Sequence, residues 1–162
     1  MAFRPPDHLV VKETEHWVIN HRVGSKLPGY LMVGAKQETT KLFDLPAVAQ
    51  AEIGPLLAAV QKVVTELLKP EHLYVGRYGH MAGYSIHFHV IPIYAWVHKA
   101  FAADARYRVL RDFYTPGVYT SAPDGAELTL FVWREFCESK NPPPVFGPSV
   151  EETIDLLRKK LL

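Results

Sequence analysis

The sequence predicts an α+β domain: an antiparallel sheet, one long helix packed against it, and a helical extension at the C-terminal end. Three observations carry this prediction. Runs rich in strand-forming residues at 15–21, 30–35 and 72–78 flank a stretch with helical periodicity. Residues 85–92 alternate in the two-residue rhythm of a strand. Beyond Pro92 the apolar spacing turns helical.

Taken in order, Glu15-His16-Trp17-Val18-Ile19-Asn20-His21 is dense in strand formers, and Tyr30-Leu31-Met32-Val33-Gly34-Ala35 is a short continuous apolar run. The turn residues of Val23-Gly24-Ser25-Lys26-Leu27-Pro28-Gly29 lie between them, so the two runs read as an antiparallel pair joined by a wide loop. A helix over 47–69 follows from Leu57, Val60, Val64, Leu67 and Leu68, with Pro70 closing it. Gly54-Pro55 either kinks that helix or marks a new first turn. His72 to Tyr78 is the next strand, and the glycine-bearing turn Gly79 to Gly83 delivers the chain into Ser85–Pro92.

In the extension, Phe101, Ala105, Val109 and Phe113 fall on one helical stripe. Asp124-x-x-Glu127 resembles a capping box opening a segment to about Glu138, although Leu128, Leu130 and Val132 also alternate as a strand would. Asn141-Pro142-Pro143-Pro144 reads as a stiff linker. Ser149 and Glu152 form a second capping box, ahead of an apolar stripe of Val150, Ile154, Leu157 and Leu161. That stripe must dock on its own domain or on a neighbouring subunit.

Bulk properties narrow the function classes. A chain of 162 residues, 48% hydrophobic, has enough material for one domain with a sizeable core. Its 18 basic and 17 acidic residues give a net charge of +1, too little for non-specific binding to a nucleic-acid polymer. One cysteine, Cys137, excludes an internal disulfide framework and points to a reducing compartment. With no apolar signal core and no span long enough for a bilayer, the expectation is a soluble cytoplasmic protein that uses no membrane.

The chemistry concentrates in Ser85-Ile86-His87-Phe88-His89-Val90-Ile91-Pro92. On a strand, Ser85, His87 and His89 share one face at about 6.5–7 Å per two residues, while Tyr84, Ile86, Phe88 and Val90 fill the other, which reads as core. Two imidazoles and a hydroxyl side by side make a catalytic or ligand-binding strand.

From about Leu9 to Pro92 the chain resembles the histidine triad (HIT) superfamily of nucleotide hydrolases and transferases. Leu27-Pro28-Gly29-Tyr30 is similar to the family's Pro-Gly-His strand start, Lys36 to Leu45 to its approach to the helix, and Gly83 to Pro92 to the signature His-φ-His-φ-His-φ-φ, φ being apolar. The resemblance implies a sheet of about five strands in a catalytic core over 1–96, with the helical extension over 97–162 packed on the same domain or on a dimer partner. It places His87 on the nucleophilic middle histidine, His89 on the third, and Ser85 where the first would stand. Arg22 stands where many members carry an acidic residue for the ribose hydroxyls, and Ile93 where an arginine often follows the proline.

The resemblance further implies a hydrolase or nucleotidyl transferase acting at the α-phosphate of a nucleoside phosphoramidate or dinucleoside polyphosphate, working as a homodimer on a small-molecule nucleotide. A neutral imidazole attacks phosphorus without a separate base, giving a covalent nucleotidyl-histidine that water or another acceptor resolves. His89 would donate to a non-bridging oxygen. Ser85 would orient His87, contact the phosphate or hold a water. Asn20, Arg77 and Gly83 are the candidate substrate contacts. Positioned donors suffice for this chemistry, so no cofactor or metal is expected. Two other classes compete: a nucleotide-binding regulatory or interaction protein with little catalysis, favoured by the replaced first histidine, and a metal site on His87 and His89, for which no further ligand stands at a recognisable spacing.

Overall fold

The computed structural model describes residues 4–79, 84–107 and 125–161. Five strands form one sheet in the order β1-β2-β3-β5-β4. They are β1 (Val10–Glu13), β2 (Trp17–His21), β3 (Leu31–Ala35), β4 (His72–Gly76) and β5 (His87–Ile93), and every neighbouring pair is antiparallel. The expected β2–β3 pair with its wide loop is present. β1 was not singled out in the sequence, because Val-Val-Lys-Glu is short, half-charged and without alternation.

One face of the sheet carries the larger core. Trp17, Ile19, Leu31, Val33, Phe88 and Val90 pack against α1 (Ala47–Leu68) through Ala49, Ile53, Val60 and Val64, and against α4 (Val150–Leu161) through Ile154, Leu157 and Leu161. Trp17 Nε1 donates to the Ala49 carbonyl at 3.1 Å, tying β2 to the first turn of α1. α1 runs continuously from Ala47 with Pro55 inside it, and closes at Lys69 in the left-handed conformation (φ 48°) just before Pro70. The capping box of α4 is reciprocal: Ser149 N–H donates to Glu152 Oε2 at 2.8 Å and Glu152 N–H to Ser149 Oγ at 3.1 Å. The apolar stripe of α4 docks on α1 and β1 of its own chain, where Arg158 Nε donates to the Val10 carbonyl at 2.9 Å.

The opposite face is covered only in part. Ile91 and Ile93 pack with α2 (Ala95–Ala103) through Val97 and Phe101, and with α3 (Gly125–Val132) through Leu128, Phe131 and Val132. α3 continues into a π-helical turn, Trp133–Glu138, which adds Phe136. Leu128, Phe131 and Val132 point inward while Leu130 is exposed, so the helical period prevails over the alternation in this segment. Asp124 of its expected capping box lies outside the described residues.

Two expectations are corrected. The stripe from Phe101 to Phe113 is not one helix, because α2 ends at Ala103. There Asp104 Oδ1 accepts from the backbone N–H of Arg106 at 3.0 Å, a local turn that competes with helix continuation; Val109 and Phe113 lie outside the described residues. Strand geometry does not reach Tyr84 and Ser85 either, since β5 begins at His87. Tyr84 is 54% exposed rather than core, whereas Ile86 is buried as expected. Among the described residues no helix is long and apolar enough to cross a membrane.

Candidate active site

The register of three strands builds the floor of the site. Asn20 pairs with Met32 and Met32 with His89, while Gly34 pairs with His87, so these residues share the sheet face that α2 and α3 leave partly open. A cavity of about 1130 Å³ stands over them. One wall comes from the extension: Ala126, Thr129, Leu130 and Trp133 recur at i, i+3, i+4 and i+7, a single helical face. Tyr78, Tyr84 and Ile91 add aromatic and apolar surface, and Arg4 and Arg22 are the cations of the described lining, which contains no carboxylate.

His87 and His89 are 6% and 8% exposed, their rings edge to face with centroids 5.0 Å apart. His87 Nδ1 lies 2.8 Å from the Ser85 carbonyl. A carbonyl only accepts, so Nδ1 carries a proton, and in the tautomer this selects the lone pair is on Nε2. The chain makes room at that nitrogen. Gly79 has a φ of 75°, and a Cβ there would stand 3.4 Å from Nε2.

His89 is held differently. Tyr30 Oη lies 2.9 Å from His89 Nδ1, and the Arg22 guanidinium sits 5.5 Å above the Tyr30 ring. Burial, then the neighbouring His87 and Arg22, depress the His89 pKa to about 3, so the ring is neutral near pH 7. Burial pushes the Tyr30 phenol up, so it keeps its proton although Arg22 pulls the other way, by its charge and by a hydrogen bond. Arg22 donates and never accepts, so the phenol proton turns to His89 Nδ1 and the ring proton resides on Nε2. The two histidines therefore hold complementary tautomers: a lone pair on one Nε2, a proton on the other.

Among the described residues, two polar atoms of the lining are buried without a hydrogen-bond partner: Ser85 Oγ and Asn20 Oδ1. The amide of Asn20 is oriented by its Nδ2, which donates to the His21 carbonyl at 2.6 Å. Such groups are costly unless a water or ligand meets them.

His87, His89, Ser85 and Asn20, all singled out in the sequence, thus come together on the cavity. Arg77 does not line it; its guanidinium donates to the Thr40 carbonyl, which holds the loop before α1. Gly83 lies outside the described residues. Tyr30, Tyr78, Tyr84 and Trp133 were not foreseen as site residues, whereas Arg22 stands at the position the resemblance gives to ribose contact. Tyr30 had a visible signal, standing in the histidine's place of the Pro-Gly-His pattern. Trp133 had none, since its arrival depends on how the extension folds back.

Comparison with known proteins settles the architecture. No family model matches the chain, and no curated protein matches it in sequence. Among solved structures, a histidine triad protein from Bradyrhizobium japonicum aligns over 100% of both chains, with 18% identity and a TM-score of 0.52. The chain has the histidine triad fold. A zinc-bound histidine triad family protein from Mycobacterium smegmatis shares this fold over 94% of this chain and 83% of its own, at 18% identity and a TM-score of 0.53. A uridylyltransferase shares it over 96% of this chain at 15% identity and a TM-score of 0.54, although the chain spans only 42% of that protein. The chain spans 24% of one further match. β5 is the strand of this fold that carries His87 and His89.

Proposed function

We propose that the protein is a nucleotide hydrolase or nucleotidyl transferase acting at the α-phosphate of a nucleoside phosphoramidate or dinucleoside polyphosphate. The observation that carries this is the His87 Nδ1 contact with the Ser85 carbonyl, which selects the tautomer with its lone pair on Nε2. In the first step Nε2 forms a bond to the α-phosphorus while the bond to the leaving amine or phosphate breaks, and the leaving group departs with that electron pair and takes a proton from solvent. In the second step water attacks the same phosphorus and gives up a proton to solvent, the P–N bond breaks with its electron pair returning to His87 Nε2, and a nucleoside monophosphate leaves. His89 Nε2–H donates to a non-bridging oxygen as negative charge gathers there. Ser85 Oγ, buried and unpartnered, has a free donor and acceptor for the phosphate or for a water beside it. The aromatic surface that Tyr78, Tyr84 and Trp133 give the cavity fits a nucleobase, and two guanidiniums without a carboxylate among the described lining residues fit an anion. The uridylyltransferase among the fold's members is in keeping with nucleotidyl transfer.

The test is mass spectrometry of the intact protein, quenched in alkali after mixing with an adenosine phosphoramidate and with dinucleoside polyphosphates. A nucleotidyl adduct on His87, with turnover abolished in a folded His87→Ala variant, is the expected result. Undiminished turnover in that variant overturns the mechanism. Serine in place of the first histidine favours one second reading, binding without catalysis. Measurable nucleotide affinity with neither adduct nor product would establish it.

A further inference from the structure

We propose that the ribose of the substrate carries a phosphate monoester, and that Asn20 and Arg22 recognise this phosphorylated sugar. The inference rests on the nucleotide reading above and names the substrate class of that site. Asn20 and Arg22 both line the cavity, two residues apart in the chain. Asn20 is cross-strand from Met32, which is cross-strand from His89, so a sugar attached to a phosphate at His89 reaches toward Asn20. What that sugar meets is an acceptor and a cation. Asn20 Oδ1 is buried and unpartnered, ready for a hydroxyl donor. Arg22 spends one donor on the Val23 carbonyl at 3.2 Å and another on Tyr30, leaving the rest of a five-donor fork.

An unmodified ribose diol offers Arg22 nothing of opposite charge. A carboxylate serves a diol, by accepting from both hydroxyls, and the described lining has none. A guanidinium matches a phosphate with two parallel charge-assisted bonds, as arginine does for the 2′-phosphate of phosphorylated dinucleotides. With one ribose hydroxyl esterified, the remaining hydroxyl donates to Asn20 Oδ1 and the phosphate takes Arg22. Both groups that lack a complement are then matched, and Arg4 adds a second positive charge to the same cavity. The neutral His89 ring does not compete for this anion.

The experiment compares adenosine 5′-phosphoramidate with its 2′-phosphate and 3′-phosphate derivatives, by equilibrium affinity and by kcat/KM, on the wild type and on Arg22→Ala and Arg22→Asp. The expected result is a wild-type preference of about tenfold or more for one phosphorylated form, lost in Arg22→Ala and inverted in Arg22→Asp. Arg22 also touches Tyr30, so absolute rates fall in both variants; the ratio between ligands, measured on each variant, cancels that effect. Equal wild-type affinities overturn the inference, as does a preference that survives Arg22→Ala. Absence of turnover with every compound overturns the catalytic reading instead, and the affinity ratio still decides this one.

Discussion

Replacing Tyr30 with phenylalanine removes one oxygen from a buried position and little volume. That oxygen is 2.9 Å from His89 Nδ1, and both residues are buried. Without it, a buried ring nitrogen loses its only assigned partner, which costs about 1–3 kcal/mol of stability. For a chain of this size that lowers Tm by roughly 3–9 °C. The larger consequence is chemical. The phenol proton is what holds the His89 proton on Nε2, a bias worth about one hydrogen bond, or roughly 1–1.5 kcal/mol. Losing it lowers kcat by about tenfold, short of the roughly 10²–10³ lost when a transition-state donor is deleted outright. Steady-state turnover of a nucleoside phosphoramidate reads the first effect, and the ¹⁵N shifts of His89 read the tautomer directly. A Tyr30→Phe protein with wild-type kcat and His89 still protonated on Nε2 would refute the relay from Arg22 through Tyr30.

Two other perturbations follow from the same geometry. Trp133→Ala, which strips the exposed end of the α3 wall, is expected to raise KM about tenfold with kcat within about threefold, since base stacking binds ground and transition states alike; unchanged KM would remove Trp133 from the site. Acid is expected to destabilise the fold. The His89 pKa falls from 6.5 to about 3 on folding, so the unfolded chain binds a proton that the native state refuses. The stabilisation is complete above pH 6.5 and is lost as pH falls toward about 3, amounting to at most about 2 kcal/mol by pH 5. Burial lowers His21 in the same direction. Urea unfolding at pH 7 and pH 5 measures the slope, which should shrink in His89→Asn; equal slopes in the two proteins would contradict the assignment.

Much of the site was legible because strand alternation is a local rule. His87 and His89 share a face in any strand, and the apolar Ile86, Phe88 and Val90 orient that face away from the core. Ser85 reached the cavity for a different reason, as the residue whose carbonyl holds His87 from just outside the strand. Arg77 was misjudged because nothing local tells a strand-end arginine whether its partner is a ligand or a backbone carbonyl 37 residues away.

What the sequence determined by itself is the α+β class, the long helix over α1, the capped C-terminal helix and the histidine-bearing strand. Each follows from periodicity and capping within a few residues. Only the tertiary structure decided the rest. The register of β2, β3 and β5 brings Asn20 and His89 to one face on either side of Met32, the β2–β3 loop returns Tyr30 to the His89 ring, and the fold-back of the extension brings Trp133 to the same cavity. These contacts join residues up to tens of positions apart in the chain. They depend on how whole faces pack, and no local pattern of residue types encodes that.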